Sequence, residues 1–467
     1  MVETISISAL RNRKELWCKR TLLVVISLLQ LMVLPTSAEM QTADLYAAAA
    51  IRKDVVQLAA DPQVHSAFAW FRANQRQLSD LQLEVTNIPA PPFGEGRRGE
   101  WLRKHFVSYG LKDVHIDSLG NVIGVRPGAD LKAKYVAITA HMDTVFPAST
   151  KIDARREGDR LYGPGISDNG AGLAAMLALI SAMQSAKIRT QAPLAFIANV
   201  GEEGEGDVRG MRHLFSESPW RDRIGYTLVV DGAGSDSIIN QALGSRRYLI
   251  TVTGPGGHSW SDFGTPNPII GLAKAIELFS RTPVPASPKT TFNIGSISGG
   301  TSVNSIPESA SMKVDLRSTS AEELGRLEQS LRESLEVALH GVTKQPKSLA
   351  NDQELTYQME LIGNRPAAEL PPDARILAVV KAVDEHLGVN SKLQRASTDA
   401  NIPLSQGREA IAMGAGGTGG GAHTLQEWYD PTAREVGLKR ILLTVLTLSG
   451  YQPEGGKRGP NPVAASQ

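Results

Sequence analysis

The sequence predicts an α/β protein, a mixed and mainly parallel sheet flanked by helices with an α+β two-layer sandwich inserted into it, and three observations predict it. Continuous apolar runs at residues 135–140, 194–200 and 226–230 alternate with helical segments, as in sheets buried on both faces. Each run gives way at its C-terminal end to glycine and polar or acidic residues, where an open α/β sheet presents its chemistry. From Ser245 to about Asn364 the texture changes to a strand, helix, strand, strand, helix, strand order, which describes a separate compact sandwich.

The elements follow in order. Apolar residues at three-to-four spacing predict helices over 45–60 and 64–78. Pro89-Ala90-Pro91-Pro92 breaks the chain into a loop, and 97–110 reads as a helix closed by glycine. Alternating strands at 114–117 and 121–126 lead to the buried strand 135–140, which ends at His141. The alanine- and leucine-rich segment 171–186 is a helix. Strand 194–200 ends at Gly201-Glu202-Glu203 and strand 226–230 ends at Asp231. In the insert, 247–253, 291–298, 311–317 and 354–362 are strands, and 268–280 and 321–339 are helices. Helices at 373–387 and 435–448 complete the first domain.

At 467 residues with 42% hydrophobic content, the chain is long enough for two domains with real cores. Its formal charge is +1, but residues 1–38 hold five basic and two acidic residues. Taking these from 49 basic and 48 acidic leaves 44 against 46. No basic field remains to argue for nucleic acid. The basic segment Arg11 to Arg20, the apolar run 21–34 and Thr36-Ser37-Ala38 read as an export signal cleaved after Ala38, with an uncleaved membrane anchor as the alternative. The run is short against the roughly 20 residues of a spanning helix. The one cysteine, Cys18, lies inside the expected export segment 1–38, so the mature chain has no disulfide.

Four short segments carry most of the chemistry, His141-Met142-Asp143, Ser167-Asp168-Asn169, Glu202-Glu203 and His423. His141 and Asp143 stand two apart at a strand end, so one can ligate a metal while the other steadies it; taken alone, they also fit a hydrogen-bonded turn. Asp168 precedes a helix and reads either as an N-cap or as a ligand. Glu202 and Glu203 repel each other at a strand mouth unless a cation lies between them, the bland alternative being a solvated acidic turn with Glu205 and Asp207. One of the pair would bind metal while the other acts as general base. Asp231 and His423, the latter in a glycine-rich run, supply further donors. His141, Asp168, Glu203, Asp231 and His423 together offer two nitrogens and three carboxylates, enough for two ions if Asp168 bridges. That donor set suits two Zn²⁺ per chain best, with Co²⁺ or Mn²⁺ as alternatives.

The motifs His141-Met142-Asp143-Thr144-Val145, Asp168-Asn169-Gly170-Ala171-Gly172, Gly201-Glu202-Glu203-Gly204, Gly256-Gly257-His258-Ser259, Asn304-Ser305-Ile306-Pro307 and Asp315-Leu316-Arg317 occur in one order along the mature chain. Together they resemble the dinuclear zinc peptidases of the peptidase T, glutamate carboxypeptidase, aminoacylase and carnosinase family. With Ser397-Thr398-Asp399-Ala400-Asn401, the likeness is nearest to peptidase T-like aminopeptidases. The resemblance implies that His141 and Asp231 hold one zinc, that Glu203 and His423 hold the other, and that Asp168 bridges. It makes Glu202 the general base and Asp143 the partner near His141. His258, through the oxyanion, and Asn304 and Arg317 would bind substrate; without the family these three read as a turn histidine, a capping asparagine and a surface arginine. It also implies a homodimer through the inserted domain. The divisions are then a signal peptide at 1–38, catalytic domain at 39–245 and 365–451, inserted dimerisation and lid domain at 246–364, and a flexible tail at 452–467.

The expected function is an exported, periplasmic or extracellular metallopeptidase acting on small peptides as an aminopeptidase, with no nucleic acid partner and no stable membrane association after cleavage. Carboxypeptidase or N-acyl-amino-acid deacylase action uses the same machinery, and a silent peptide-binding protein is the alternative from another class. Ser259-Trp260 departs from the Ser-Ser or Ser-Ala of many relatives, so Trp260 is expected to narrow the substrate path or pack a dimer seam.

Overall fold

The computed structural model describes residues 37–216, 218–343 and 354–453. The expected export segment lies almost wholly outside the described residues, as do residues 454–467 of the expected tail. No described helix is long and apolar enough to cross a membrane. The chain divides into two compact units, Met1–Ala50 and Ile51–Gln467. The described part of the first is the beginning of helix Ser37–Ala59. Every described strand lies in the second.

A nine-stranded sheet organises the second unit. At its centre Leu194–Asn199, Tyr135–His141, Ile224–Val230 and Glu409–Met413 run parallel. Val122–Arg126 and Lys112–Ile116 add antiparallel strands at one side. Ser237–Ala242, flanked by Ala368–Glu369 and Lys392–Ala396, adds the other. The apolar runs are continuous because both faces are covered. Val136, Ile138, Phe196 and Ala198 enter one core and Ala137, Ala195 and Ile197 enter the other. On the first face lies helix Gly170–Ser185, apolar all round and almost entirely buried, packed against Pro62–Ala73, Gln75–Thr86 and the strand Tyr135–His141. On the second face Met211 and Leu214 of helix Arg209–Ser216 join Ile402 of Asn401–Ser405.

The inserted sandwich has the expected four strands and two helices. Its antiparallel sheet runs Thr290–Gly299, Ser309–Ser318, Gly244–Thr253, Thr356–Arg365. Alternate residues Tyr248, Ile250, Val252 and Met312, Val314, Leu316 face helices Pro268–Ser280 and Ala321–Thr343, which bury Leu272, Phe279, Leu327, Leu331 and Leu335 at helical spacing. The insert leaves and rejoins the large sheet at one place, because Ala242 and Ala368 are paired neighbours.

The structure adds strands that sequence periodicity did not mark. Glu409–Met413 has only four buried apolar residues and sits between Arg408 and a glycine run, too short to show a period. Lys392–Ala396 is an exposed edge strand with no apolar alternation. Only Leu243 separates Ser237–Ala242 from the first sandwich strand, Gly244–Thr253, and the two patterns merge.

Candidate metal centre

Three strand ends and two loops meet above the carboxyl edge of the parallel strands. His141 is the last residue of its strand and is buried. Its Nδ1 lies 3.1 Å from the Asp143 carbonyl oxygen, which can only accept, so Nδ1 carries the proton and Nε2 faces the site. Nε2 is 3.1 Å from Asp168 Oδ1 and 3.5 Å from Asp231 Oδ1. The other oxygen of Asp168 is 3.2 Å from His423 Nε2, which is itself 3.0 Å from Glu203 Oε1. Two donor groups result: His141, Asp168 and Asp231, and Asp168, Glu203 and His423. Asp168 belongs to both, with one oxygen directed to each.

Why Asp168 is free to bridge follows from the residue after it. Asn169 is the N-cap of helix Gly170–Ser185, its Oδ1 accepting from Gly172 N–H at 3.1 Å. The capping role read for Asp168 therefore passes to its neighbour. Asn169 Nδ2 also donates to the Val230 carbonyl at 3.0 Å and its Oδ1 accepts from Gly232 N–H at 3.2 Å, tying the helix start to the strand that ends at Asp231. Gly172 makes this approach feasible, since a Cβ there would stand 2.5 Å from Val230 O.

Asp143 does not face the metal position. Its two oxygens accept from Glu202 N–H at 2.9 Å and Glu203 N–H at 2.7 Å, so it fixes the turn that carries both glutamates while its Oδ1 lies 3.7 Å from His141 Nδ1. Glu202 is buried beside the cluster; its Oε1 accepts from Arg365 Nη1 at 2.8 Å. Burial pushes the Glu202 carboxyl well above the usual carboxylate range, against the pull of Arg365 and His141.

Electrostatics fit a cation pair. Burial alone would lower the His141 imidazole, but Asp143, Asp168 and Asp231 outweigh it and hold it well above its ordinary value. Hydrogen bonds to Asp168 and Glu203 raise His423 to about 10. Burial would raise Asp168, yet the two imidazoles hold it below the ordinary range. Three carboxylates and two imidazoles thus converge on shared positive charge, and as nitrogen and oxygen donors they fit two borderline divalent ions.

Several residues of this centre were not marked by sequence. Glu427 is buried and accepts from the N–H groups of Gly165, Ser167 and Asp168, each at 2.7 Å, so it shapes the loop presenting the Asp168 carboxylate. Burial pushes it up to about 7 despite those three donors. Arg98, fully buried, donates to the carbonyls of Thr86, Ile88 and Met142 and so anchors the residue between His141 and Asp143. Asp399, which the sequence marked only as part of the peptidase T-like motif, accepts from Asn199 Nδ2 at 2.7 Å, and burial pushes it up to about 7.

The expected substrate residues belong to the inserted sandwich and its ribbon. His258 and Asn304 are neighbours on the ribbon Gly257–His258 with Ser305–Ile306, where Ser259 N–H donates to the Asn304 carbonyl. The backbone N–H groups of Trp260 and Ser261 point at His258 Nδ1, leaving Nε2 as the outward donor. Arg317 pairs with Asp315 at 2.7 Å. Among the described residues no hydrogen bond or ion pair joins these three to the metal ligands. Trp260 is 87% exposed, so within this chain it does not close the path to the cluster.

The family model described as peptidase family M20/M25/M40 matches residues 137–447. A probable carboxypeptidase of Ajellomyces capsulatus is 30% identical over 241 residues, 48% of this chain and 54% of that protein, so the chain spans about half the length of that relative. The crystal structure of aminopeptidase PepT from Bacillus cereus superposes with a TM-score of 0.64 at 20% identity, covering 80% of this chain and 99% of the other. The Bacillus subtilis YxeP protein, described as a dinuclear metal binding peptidase, superposes with a TM-score of 0.58 at 15% identity over 81% of this chain and 99% of the other.

Proposed function

The chain belongs to peptidase family M20/M25/M40, and from that premise we propose an exported metallopeptidase that hydrolyses amide bonds of small peptides, acting as an aminopeptidase on di- and tripeptides. The observation that carries this reading is Asp168, whose two oxygens each meet an imidazole of a different donor group while Glu202 stands beside them. In the proposed assignment His141 and Asp231 hold one ion, Glu203 and His423 the other, and Asp168 both. Two divalent ions, zinc by donor set, would supply a Lewis acid for the scissile carbonyl and lower the pKa of attacking water from 15.7 toward about 7.

The protein's own groups do the rest. Glu202 takes the proton of the attacking water and returns it to the leaving amine nitrogen. Asp143 keeps Glu202 in place through its backbone amide. His258 Nε2, an outward donor, suits the developing oxyanion, and Arg317 suits a peptide carboxylate. Because no hydrogen bond or ion pair joins His258 and Asn304 to their own cluster among the described residues, the reading includes a homodimer in which the sandwich of one chain serves the site of another. Its edge strand Thr290–Gly299, paired on one side only, and the exposed Trp260 and Phe263 support such a contact.

The peptide end that is cut is the finer part of the proposal. The curated relative is named a carboxypeptidase and the solved neighbour an aminopeptidase. Zinc-loaded protein assayed on matched free and N-acetylated tripeptides separates them. Release of the N-terminal residue from the free peptide alone is expected; equal cleavage of the blocked peptide would replace this reading with carboxypeptidase or deacylase action. Glu202→Gln should lower kcat by about 10²- to 10⁴-fold with metal content unchanged.

A further inference from the structure

Glu202 is held at three points. Its N–H is fixed by Asp143, while one arginine takes both its carbonyl and its carboxylate. That arginine, Arg365, is 5% exposed; its Nη1 donates to Glu202 Oε1 at 2.8 Å and to Ser397 Oγ at 3.1 Å, and its Nη2 donates to the Glu202 carbonyl oxygen. No other hydrogen bond reaches the Glu202 carboxylate among the described residues, so Oε1 is occupied and Oε2 remains open. We infer that Arg365 is the positioning residue of the general base, clamping Glu202 so that Oε2 is presented to the attacking water. The inference rests on the function proposed above.

The planar guanidinium can meet a carboxylate oxygen and a carbonyl oxygen at once; a lysine ammonium on a flexible stem cannot hold that fork. Arg365 is also the last residue of the sandwich's final strand and pairs across to Ser245, in the first sandwich strand. The preceding Asn364 is fixed as well, its N–H donating to Asp207 Oδ1 at 2.9 Å and its carbonyl accepting from Arg212 at 2.7 Å. The seat of the inserted sandwich and the aim of the base are therefore set by the same residue. A purely structural ion pair would stabilise the fold without governing turnover, and kinetics separate the two.

The test is steady-state peptide hydrolysis by the metal-loaded full chain carrying Arg365→Ala or Arg365→Lys, with millimolar guanidinium added to the first. Arg365→Ala is expected to keep its metals and its KM within about threefold, to lose kcat by about 10²-fold, and to regain at least about tenfold of it with guanidinium. Arg365→Lys, which keeps the charge and so guards against a misfolded alanine variant, is expected to lose kcat by about tenfold. In a Glu202→Gln background, Arg365→Ala should add no more than about a twofold loss, since both act through one group. A kcat within about threefold of wild type in both variants overturns the inference. So does a raised KM with intact kcat, which would make Arg365 a substrate contact, and so do additive losses or the absence of guanidinium rescue. If wild-type protein hydrolyses no peptide, the functional reading fails; if it hydrolyses and the variants match it, this inference alone fails.

Discussion

At the scale of single residues, the centre binds protons in competition with cations. In chelated protein the carboxylates Asp168 and Glu203 hold the His423 imidazole at about 10, and three carboxylates hold His141 well above its ordinary value. Both folded values exceed the ordinary 6.5, so the stability these pairs lend the metal-free fold is complete below 6.5, and the share of His423 is lost as pH rises through about 10. At pH 7 both rings are charged and incoming cations must displace their protons. Calorimetric titration in buffers of different ionisation enthalpy should therefore detect about two protons released per chain on loading; release near zero would mean the rings are not ligands. Glu427 makes a second case. A glutamine there turns one of three accepted backbone bonds into a donor facing a donor, so Glu427→Gln should weaken metal binding by about 10- to 100-fold in a chelator competition; unchanged affinity would leave Glu427 a bystander.

The five proposed ligands were legible because each stands where an apolar strand or a glycine run stops. Glu427 and Arg365 were not, because nothing near them in the chain reveals their partners. Glu427 closes on amides 259 to 262 residues away and Arg365 on a glutamate 163 away. Their surroundings gave no sign either, since Glu427 follows a run of exposed residues and Arg365 ends a strand that is mostly exposed or half-buried.

At the scale of elements, helix Gly170–Ser185 decides where Asp168 and Asp231 stand relative to each other. Asn169 accepts from Gly172 in its first turn, and joins that turn to the end of the strand Ile224–Val230 by donating to the Val230 carbonyl and accepting from Gly232 N–H. Asn169→Ala loses the cap, worth about 1 kcal/mol, and strands the Val230 carbonyl, costing about 1–3 kcal/mol more. Urea unfolding should show a loss of about 2 kcal/mol or more, and a loss under about 0.5 kcal/mol would contradict the linkage. The helix itself was legible from composition, as were the buried strands on either side of His141. The strand Glu409–Met413 was not, because its place in the parallel sheet rests on pairing with Ile224–Val230 rather than on any period of its own.

At the scale of the whole molecule, the loop that carries Glu202 and Glu203 lies between the large sheet and the sandwich. Arg247 of the sandwich donates to the Gly204 carbonyl at 3.0 Å, Asn364 N–H to Asp207, and Arg365 to Glu202. The outer polar face of the small sheet, with Arg247, Asp315 and Arg317, therefore borders the loop of Glu202 and Glu203, while its apolar face is spent on its own helices. That division was legible as a change of texture near Ser245. Which face would look toward the site was not, since alternation alone does not say what lies beyond the polar side. The proposed two-ion centre depends on one carboxylate, Asp168, shared by two donor groups. The most direct measurement is the divalent metal content of purified full-length protein and of its Asp168→Ala variant by elemental mass spectrometry. The account predicts two ions per wild-type chain and at most one in the variant; a single ion in wild type, or two that survive the loss of Asp168, would contradict it.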